Sequence, residues 1–439
     1  MRELIVDNFA GGGGASEGIE IATRRNIDIA VNHDPAAIVM HKANHPDSEH
    51  YCESVWDINP IQATRNRPVG IAWFSPDCTH HSKARGGKPR EKSIRGLAWV
   101  VVRWAITVRP RCIYLENVEE FKDWGPLLDN GTPDESQKGV TFKSFVKSLQ
   151  SLGYAVEWRE LRACDYGAPT SRKRLFLIAR CDGLPIVWPE VTHGIDTPFR
   201  SAAEIIDWSI PCQSIFSRKR ELVDKTKRRI ARGIVKFLIE EDNPYILSEE
   251  QVRATNWLSD PPSDQSDIFG GYISSYYGET SSTEVRGSEL DSPLHTITAG
   301  GNRFALVTTR LSKDFSKEQS HRVSAFLTTY YGASTGQDLR SPINTIVTKD
   351  RFGLVVVKGT PYHITDISMR MLSPRELYRG QGFPDDYIID PIFNGKPLPK
   401  SEQVAKCGNS VSPLMAAAII RANQPEMCNN SNYRLEAVV

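Results

Sequence analysis

The stretch of sequence that decides the fold is Leu4-Ile5-Val6-Asp7-Asn8-Phe9-Ala10-Gly11-Gly12-Gly13-Gly14. Its apolar beginning predicts a short buried strand, and the residues from Ala15 onward predict a helix. Glycines between a strand and a helix allow a ligand to approach the backbone closely. The spacing is not G-x-G-x-x-G and no Gly-Lys-Ser/Thr follows, which excludes a dinucleotide fingerprint and a P-loop. The turn fits a nucleoside ligand without a pyrophosphate, and it fits a purely structural turn equally well.

Short apolar strands alternate with helical segments up to about residue 190. Further strands are predicted at 27–31, 71–74, 112–115 and 175–179, and helices at 35–44, 97–108 and 142–152. Asp34 is expected to cap the second helix, with Pro35 at the first helical position. This alternation predicts an α/β fold built on a doubly wound parallel sheet, in which the carboxyl ends of the strands form a ligand crevice.

Beyond about residue 190 the composition changes. Residues 216–236 contain nine lysines and arginines against two acidic residues, which predicts a basic helix suited to phosphate contact. Residues 272–311 and 326–359 form an internal repeat rich in aromatic and β-branched residues, which predicts a duplicated β unit. We therefore predict an α/β domain at 1–190, a smaller β-rich domain at 191–401, and a C-terminal segment at 402–439 that returns to the first domain.

Composition alone does not reveal the function. The 439 residues carry a formal net charge of +1, which by itself does not indicate a nucleic-acid binder. The eight cysteines are scattered and lack metal-site spacing, which predicts a reduced, cytoplasmic protein without a metal. No apolar stretch is long enough to span a bilayer. His41 and His45 lack a suitably spaced third ligand, and we interpret them as part of a solvated helix face.

Two predicted strand ends carry residues suited to chemistry. Cys78 lies just past the strand at 71–74, where a thiol is placed for nucleophilic attack and neighbouring positive charge favours the thiolate. Glu116 lies at the end of the strand at 112–115, where a carboxyl group can protonate or hydrogen-bond a bound base. The alternatives are a buried structural cysteine and an ordinary loop carboxylate.

Basic residues accompany both strand ends. The loop after the cysteine can engage phosphates or can simply be a solvated loop, and its basic residues include Lys83, Arg85 and Arg95. Arg172 and Arg174 come just before the strand at 175–179, and their alternation predicts one shared face. This last pattern is also common on protein surfaces.

In their order along the chain, these motifs resemble those of the cytosine-C5 DNA methyltransferase family. The resemblance runs from the first residues nearly to the last and rests on seven motifs. They are Asp7 to Gly14, Val55-Trp56-Asp57-Ile58, Pro76-Asp77-Cys78, Glu116-Asn117-Val118, Ala168 to Arg174, Arg370 to Pro384 and Gly408-Asn409-Ser410-Val411. The chain departs from the family where Asp77 replaces proline and where Thr79 and Thr170 replace glutamine.

The resemblance implies a methyltransferase domain at 1–190 and a target-recognition domain at 191–401. It implies methyl transfer to C5 of a flipped cytosine in a specific double-stranded DNA sequence, with no metal and with four catalytic residues, Cys78, Glu116, Arg172 and Arg174. The implied methyl donor is S-adenosyl-L-methionine, bound by Phe9, Gly11, Gly13, Asn32, Asp57 and Asn409. Asn32 is favoured over Asp34 as the ribose ligand because a helix cap explains Asp34. We expect DNA contacts from Lys83, Arg85, Arg95, Arg228 and Arg229.

The expected partners are duplex DNA and a cognate restriction endonuclease, with the protein acting as a monomer on DNA. An RNA cytosine methyltransferase would share the chemistry, but the large second domain favours duplex DNA. A catalytically inactive, sequence-specific DNA-binding module is supported only by Asp77 beside Cys78. A nicotinamide oxidoreductase is disfavoured by the missing G-x-G-x-x-G. The net charge of +1 is then an average, because basic residues concentrate in the loop after Cys78, at 172–174 and at 216–236.

Overall fold

The computed structural model of the chain describes residues 2–76, 96–128, 132–255, 267–277, 285–313, 317–331 and 354–428. Its strands are β1 Leu4–Asn8, β2 Ile29–Val31, β3 Glu49–Tyr51, β4 Val69–Phe74, β5 Cys112–Asn117, β6 Ala155–Arg162, β7 Lys173–Arg180, β8 Gln213–Ser214, β9 Ile268–Ser275, β10 Gly287–Glu289, β11 Phe304–Ser312, β12 Leu354–Val357, β13 Thr360–Met371, β14 Ile392–Phe393 and β15 Lys396–Pro397. Its α-helices are α1 Gly14–Thr23, α2 Pro35–Asn44, α3 Pro60–Thr64, α4 Trp99–Thr107, α5 Val140–Ser151, α6 Asp224–Ile234, α7 Glu249–Ala254, α8 Lys317–Tyr331, α9 Pro374–Gln381, α10 Lys400–Asn409 and α11 Pro413–Asn423.

Contacts within the chain divide it into two compact units. Unit 1 comprises Met1–Phe199, Thr296–Gly301 and Leu377–Val439, and unit 2 comprises Arg200–His295 and Asn302–Glu376. The sequence predicted a return to the first domain at residue 402, whereas the chain rejoins unit 1 at Leu377. The reason is packing within unit 1. The rings of Tyr378 and Phe383 are buried with their centroids 4.9 Å apart, and the Tyr378 hydroxyl contacts the sulfur of Met40.

Unit 1 is built on a seven-stranded sheet in the order β3-β2-β1-β4-β5-β7-β6. The first five strands in this order are parallel, whereas β7 is antiparallel to β5 and β6 is antiparallel to β7. The predicted doubly wound α/β fold is confirmed. The expectation of a wholly parallel sheet was wrong at β7, and the sequence reasoning missed β3 and β6. Only about ten residues join β6 to β7, fewer than the dozen or so that a parallel crossover needs.

Helices cover both faces of this sheet because successive strand residues point to opposite sides. Leu4 and Val6 of β1 belong to a core cluster that includes residues of α4 and α5. Ile5, between them, belongs to a second cluster that includes residues of α1 and α11. Gly18 of α1 lies so close to the carbonyl of Pro413 in α11 that a Cβ at Gly18 would collide with it. The two helices therefore pack tightly and fix the helix that follows β1.

The second helix begins as the sequence predicted. Asp34 has an extended backbone and accepts a hydrogen bond from the N–H of Ala36 at 2.9 Å, and Pro35 occupies the first helical position. The observed bounds, Pro35–Asn44, equal the predicted ones. Across the part of the chain that the structure describes, no helix is both long enough and apolar enough to cross a membrane.

Unit 2 contains an antiparallel sheet in the order β10-β9-β11-β13-β12, with β8 paired to β13. Residues of α6 and α8 share a hydrophobic core with this sheet. The basic stretch predicted as one helix from residue 216 becomes helical only at Asp224, where an acidic first turn suits the helix dipole.

The two copies of the predicted repeat differ where they begin. Tyr276 of the first copy follows strand β9, whereas Tyr330 of the second copy lies in helix α8. The second copy was expected to be a β unit, and this prediction was wrong for its opening residues because they continue an amphipathic helix. Most of the rest of that copy, residues 332–353, lies outside the described residues.

Candidate active site

Three of the four predicted catalytic residues, Glu116, Arg172 and Arg174, lie at the carboxyl edge of the unit 1 sheet. The parallel strands β1, β2, β4 and β5 end there, at Asn8, Val31, Phe74 and Asn117. Because β7 runs in the opposite direction, its first residues reach this edge, and Leu175 pairs with Asn117. The reversal of β7 therefore brings Arg172 and Arg174, at the start of one strand, to residues at the ends of the others.

Glu116 lies between the two predicted arginines. Its Oε1 atom is 3.3 Å from Nε of Arg174 and 3.9 Å from a terminal nitrogen of Arg172. Lys173, between them in sequence, pairs instead with Glu119 and Glu160. The predicted shared face of the two arginines is thus confirmed. Glu116 is only 6 % exposed, and little water screens its attraction to the two guanidinium groups, which fixes the position of its carboxylate.

Arg172 also ties three segments of unit 1 together. One of its terminal nitrogens donates hydrogen bonds to the carbonyl oxygens of Ile297 and Gly408, both at 3.2 Å. The side chain is 3 % exposed. Since its guanidinium is engaged by two carbonyls and by Glu116, Arg172 is suited to hold the arrangement in place.

Asn117 anchors the chain just before the predicted nucleophile. Its Nδ2 donates to the carbonyl oxygen of Pro76 at 3.1 Å, and its Oδ1 accepts from the N–H of Val118 at 2.9 Å. Pro76 precedes Cys78 by two positions in the sequence. The residues predicted further along this segment, Cys78, Lys83, Arg85 and Arg95, lie outside the described residues.

The glycine turn, which we define as residues 9–14, has an open side and a packed side. A Cβ on Gly11 would meet no atom nearer than 3.8 Å. A Cβ on Gly13 would collide with the hydroxyl of Tyr387 and crowd the ring of His45. Packing inside the protein therefore requires Gly13, whereas Gly11, at φ 54°, leaves space beside the backbone for a ligand.

The first residue of this turn, Phe9, and the residue before it, Asn8, fit a nucleoside cofactor. Phe9 adopts φ 62°, a left-handed conformation that is unusual for a bulky residue and concentrates at functional sites. Its ring is only partly buried against the core. Asn8 is fully buried, and among the described residues neither polar atom of its side chain has a hydrogen-bond partner. A purine nucleoside could use all three features of this region: the exposed part of the Phe9 ring, the Asn8 side-chain amide that lacks a hydrogen-bond partner, and the space at Gly11.

Two polar residues follow β2, Asn32 and Asp34, and their side chains have different partners. Asn32 is buried, and its Oδ1 accepts a hydrogen bond from the N–H of Asp34 at 2.8 Å. Asp34 forms a 2.5 Å ion pair with Lys406. Burial raises the pKa of Asp34, but the Lys406 ammonium group and the helix N–H groups outweigh this effect and lower it below its usual value. Asp34 is thus committed to the helix cap and the ion pair, whereas Asp57, after β3, is exposed.

The final motif packs against a segment from the middle of the chain. Asn409 is the exposed last residue of α10. A Cβ on the preceding Gly408 would collide with the backbone of Thr298 and Ala299. Close packing at Gly408 therefore fixes the end of α10 and leaves the Asn409 side chain accessible.

The sequence model described as C-5 cytosine-specific DNA methylase matches residues 4–424 of the chain. The chain belongs to this family. This membership confirms the resemblance seen in the motifs and makes the protein a DNA cytosine-5 methyltransferase. S-adenosylmethionine is the cofactor that the family implies.

Curated relatives of the methylase include type II methyltransferases. M.NlaIV of Neisseria lactamica is 26 % identical over 459 aligned residues, which cover 95 % of this chain and 98 % of that protein. M.XorII of Xanthomonas oryzae pv. oryzae is 30 % identical over 206 residues, and the alignment covers 44 % of each chain. Among solved structures, a mutant of Spodoptera frugiperda DNMT2 matches 96 % of this chain and 99 % of its own, with a TM-score of 0.51 at 14 % identity. This last likeness concerns the fold alone.

In unit 2 of the methylase, the two arginines that were predicted to contact DNA differ in exposure. Arg228 of α6 is exposed, whereas Arg229 is 8 % exposed and its guanidinium carbon lies 4.5 Å from the centroid of the Tyr276 ring. Arg228 belongs to a basic face of α6 that has helical spacing, is at least partly exposed and comprises Lys225, Arg228 and Arg232. This face is open to solvent, but the Arg229 guanidinium is occupied inside unit 2.

Sequence reasoning missed a buried polar cluster beside the glycine turn. The interpretation of His41 and His45 as a solvated helix face was wrong, since both are buried, with ring centroids 4.5 Å apart. His41 also lies 2.9 Å from the hydroxyl of Ser16. The helical spacing contained a usable signal, because His41 follows the buried Ala37 by four positions and the buried Ile38 by three.

Proposed function

We propose that the methylase acts on a cytosine flipped out of a specific duplex DNA sequence, through a covalent bond between Cys78 and C6 of the base. The observation that carries the proposal is the cluster of Glu116, Arg174 and Arg172 beside the anchored Pro76. Flipping is required because a stacked, paired cytosine does not expose the faces of its ring to attack. Cys78 comes two positions after Pro76, so the nucleophile motif begins at this cluster.

The chain's residues support each step at the base. The Cys78 thiolate attacks C6, and the new S–C bond makes C5 nucleophilic. The Glu116 carboxyl group donates a proton to N3 and accepts a hydrogen bond from the exocyclic amine, which stabilises the negative charge that develops in the ring, and it recovers this proton when the ring is restored. Arg174 meets O2. S-adenosylmethionine supplies the methyl group to C5 when it is bound. Loss of the C5 proton to a base, with cleavage of the S–C bond, then restores the ring and releases the Cys78 thiolate.

Arg172 acts in this proposal mainly as a positioning residue. Its contacts with Ile297, Gly408 and Glu116 support a role in holding the base-binding carboxylate and the final motif in register. A guanidinium group presents its donors in a fixed planar arrangement, which suits a contact among three segments.

The cofactor site comprises residues from three strand ends and from α10. In the proposal Phe9 packs on the adenine, Asp57 meets the adenine amino group, and Asn32 bonds a ribose hydroxyl. Gly11 and Gly13 form the turn beside the nucleoside, with Gly11 providing the open backbone and Gly13 the internal packing. Asn409 closes the pocket from the final motif.

The biological setting of the methylase is the last part of the proposal. We propose that the methylase acts as a monomer on DNA in the cytoplasm and protects host DNA from a cognate restriction endonuclease. The type II methyltransferases among its relatives support this setting.

The proposal is tested by methyl transfer to defined nucleic acids. The full chain is incubated with S-adenosylmethionine carrying a labelled methyl group, and with duplex DNA or RNA of matching sequence. Label at C5 of cytosine in the DNA supports the proposal. Label in the RNA alone contradicts it, and absence of label from both, in a protein that binds the cofactor, identifies an inactive DNA-binding module.

Arg228→Gln is expected to weaken DNA binding through the loss of one phosphate contact. The slope of log affinity against log salt concentration should become shallower by about 0.9. Arg229→Gln is the matched control, because the Arg229 guanidinium stacks on Tyr276 inside unit 2. This control should lower the unfolding midpoint and leave the salt slope unchanged. Equal slopes for Arg228→Gln and the wild type would show that the basic face of α6 does not contact DNA.

A further inference from the structure

A chain of hydrogen bonds, which we call the relay, runs through unit 1 beside the glycine turn, and it is buried except at its partly exposed end, His50. Nε2 of His50 lies 2.9 Å from Nδ1 of His41, and Nε2 of His41 lies 2.9 Å from the hydroxyl of Ser16. The Ser16 hydroxyl donates to Oδ2 of Asp7 at 2.7 Å. The relay therefore links β3, α2 and the first turn of α1 to the end of β1.

The relay has a defined direction. The Ser16 hydroxyl has one proton, which goes to Asp7, so it accepts a hydrogen bond from Nε2 of His41. A neutral His41 with its proton on Nε2 accepts at Nδ1 from His50. Burial, reinforced by the neighbouring histidines, lowers the pKa of His41 well below its usual value, which agrees with a neutral ring. Every hydrogen bond of the relay thus donates toward Asp7.

Asp7 is the group in the relay that changes charge near neutral pH. It is fully buried, and burial raises its pKa to about 7, although the Ser16 hydroxyl and His45 oppose this shift. Burial lowers the pKa of His50 as well. Titratable and charged groups face this region from the elements packed around it, namely Glu17 and Glu20 on α1, His41 and Lys42 on α2, His45 just after α2, His50 on β3, and Asp386 and Tyr387 before β14.

A second contact holds the turn from the other side. The hydroxyl of Tyr387 donates to the carbonyl oxygen of Gly12 at 2.5 Å and lies 3.4 Å from Nε2 of His45. Nδ1 of His45 in turn lies 3.1 Å from Oε1 of Glu20. Tyr387 therefore fixes the packed side of the turn. The hydrogen bond from Ser16 to Asp7 joins the residues that flank the turn on either side.

We propose that the relay positions the glycine turn for S-adenosylmethionine, so that affinity for the cofactor rises as Asp7 loses its proton. This inference rests on the proposed function, in which Phe9 and Gly11 meet the nucleoside. A hydrogen bond to an ionised carboxylate is stronger than one to a neutral acid. Ionised Asp7 therefore draws Ser16 and the start of α1 toward the end of β1, and the residues between them, including Phe9 and Gly11, are held in the binding conformation.

The test measures binding rather than turnover. The dissociation constant of S-adenosylhomocysteine, the reaction product that contains the same nucleoside, is measured by calorimetry on the full chain without DNA. For the wild type we expect affinity to increase about fivefold between about pH 6 and about pH 8. Asp7→Asn keeps the shape but cannot ionise, and its affinity should not change over this range. Ser16→Ala should bind weakly at both ends of the range.

A matched control lies on the same helix. Thr23 of α1 is buried, and its hydroxyl donates to the carbonyl oxygen of Ile19 at 2.8 Å, outside the relay. Thr23→Val should keep the pH dependence of the wild type. The wild-type series needs no variant, so the test does not depend on whether Asp7→Asn or Ser16→Ala folds.

The outcomes separate the inference from the function on which it rests. A wild type that binds S-adenosylhomocysteine with the same affinity across the range overturns the relay and leaves the proposed cofactor site intact. An Asp7→Asn variant that keeps the wild-type pH dependence also overturns the relay. A wild type that binds no S-adenosylhomocysteine at any pH overturns both proposals.

Discussion

Cys78→Ser is expected to reduce methyl transfer by about a thousandfold or more, while specific binding to duplex DNA is retained. A serine hydroxyl is not ionised near neutral pH, so it cannot replace the thiolate that attacks C6. In the proposal Glu116 and Arg174 contact the base and the basic face of α6 contacts the DNA, and the substitution changes none of these groups. This variant should therefore lose methyl transfer and keep its affinity for DNA.

The measurement compares rates of methyl incorporation with DNA affinities for the same preparations. Cys52→Ser is the matched control, because Cys52 is an exposed free cysteine that the proposal does not use. It should retain both activity and affinity. Methyl transfer by Cys78→Ser at a rate near that of the wild type would contradict the covalent mechanism.

Glu376→Ala is expected to destabilise unit 2 by about 3–5 kcal/mol, because it leaves a buried guanidinium group without its counter-charge. The two carboxylate oxygens of Glu376 accept hydrogen bonds from Arg370 at 2.6 and 2.8 Å. They also accept from the N–H groups of Asp207 and Ser373. Glu376 is fully buried and Arg370 is 8 % exposed, so water cannot replace the lost partner.

Denaturant unfolding checks this prediction by measuring the free energy of unfolding. Glu249→Ala is the control, since Glu249 and Arg253 form an exposed pair in the same unit, and exposed pairs contribute little. Combining Glu376→Leu with Arg370→Met should recover much of the loss, because an apolar pair removes both buried charges. An unfolding free energy for Glu376→Ala equal to that of the wild type would show that the pair is not structurally required.

Local signals made part of the fold predictable. Asp34 followed by Pro35 marks a helix start through side-chain capping and a fixed φ, and α2 has the predicted bounds. The direction of β7 was not predictable in this way, because an apolar strand sequence reads the same for parallel and antiparallel pairing. Only the short connection from β6 carried that information, and β6 itself went unrecognised because most of its residues are exposed or partly exposed.

In the candidate site, too, some features were predictable from local sequence and others depend on the tertiary structure. Motif order identified Glu116, Arg172 and Arg174, and the structure brings them together. The difference between Arg228 and Arg229 depends on the rotational phase of α6, in which Arg229 joins the buried side with Ile230. The contact of Tyr387 with Gly12 joins residues far apart in sequence, and no local pattern records such a contact.

Bisulfite sequencing of duplex DNA treated with the methylase and S-adenosylmethionine reveals which cytosines carry a methyl group at C5. Cytosines within one defined sequence should resist conversion after treatment with the wild type and should be converted after treatment with Cys78→Ser. Complete conversion of the DNA after treatment with a wild type that binds both cofactor and DNA would contradict the proposed methyl transfer.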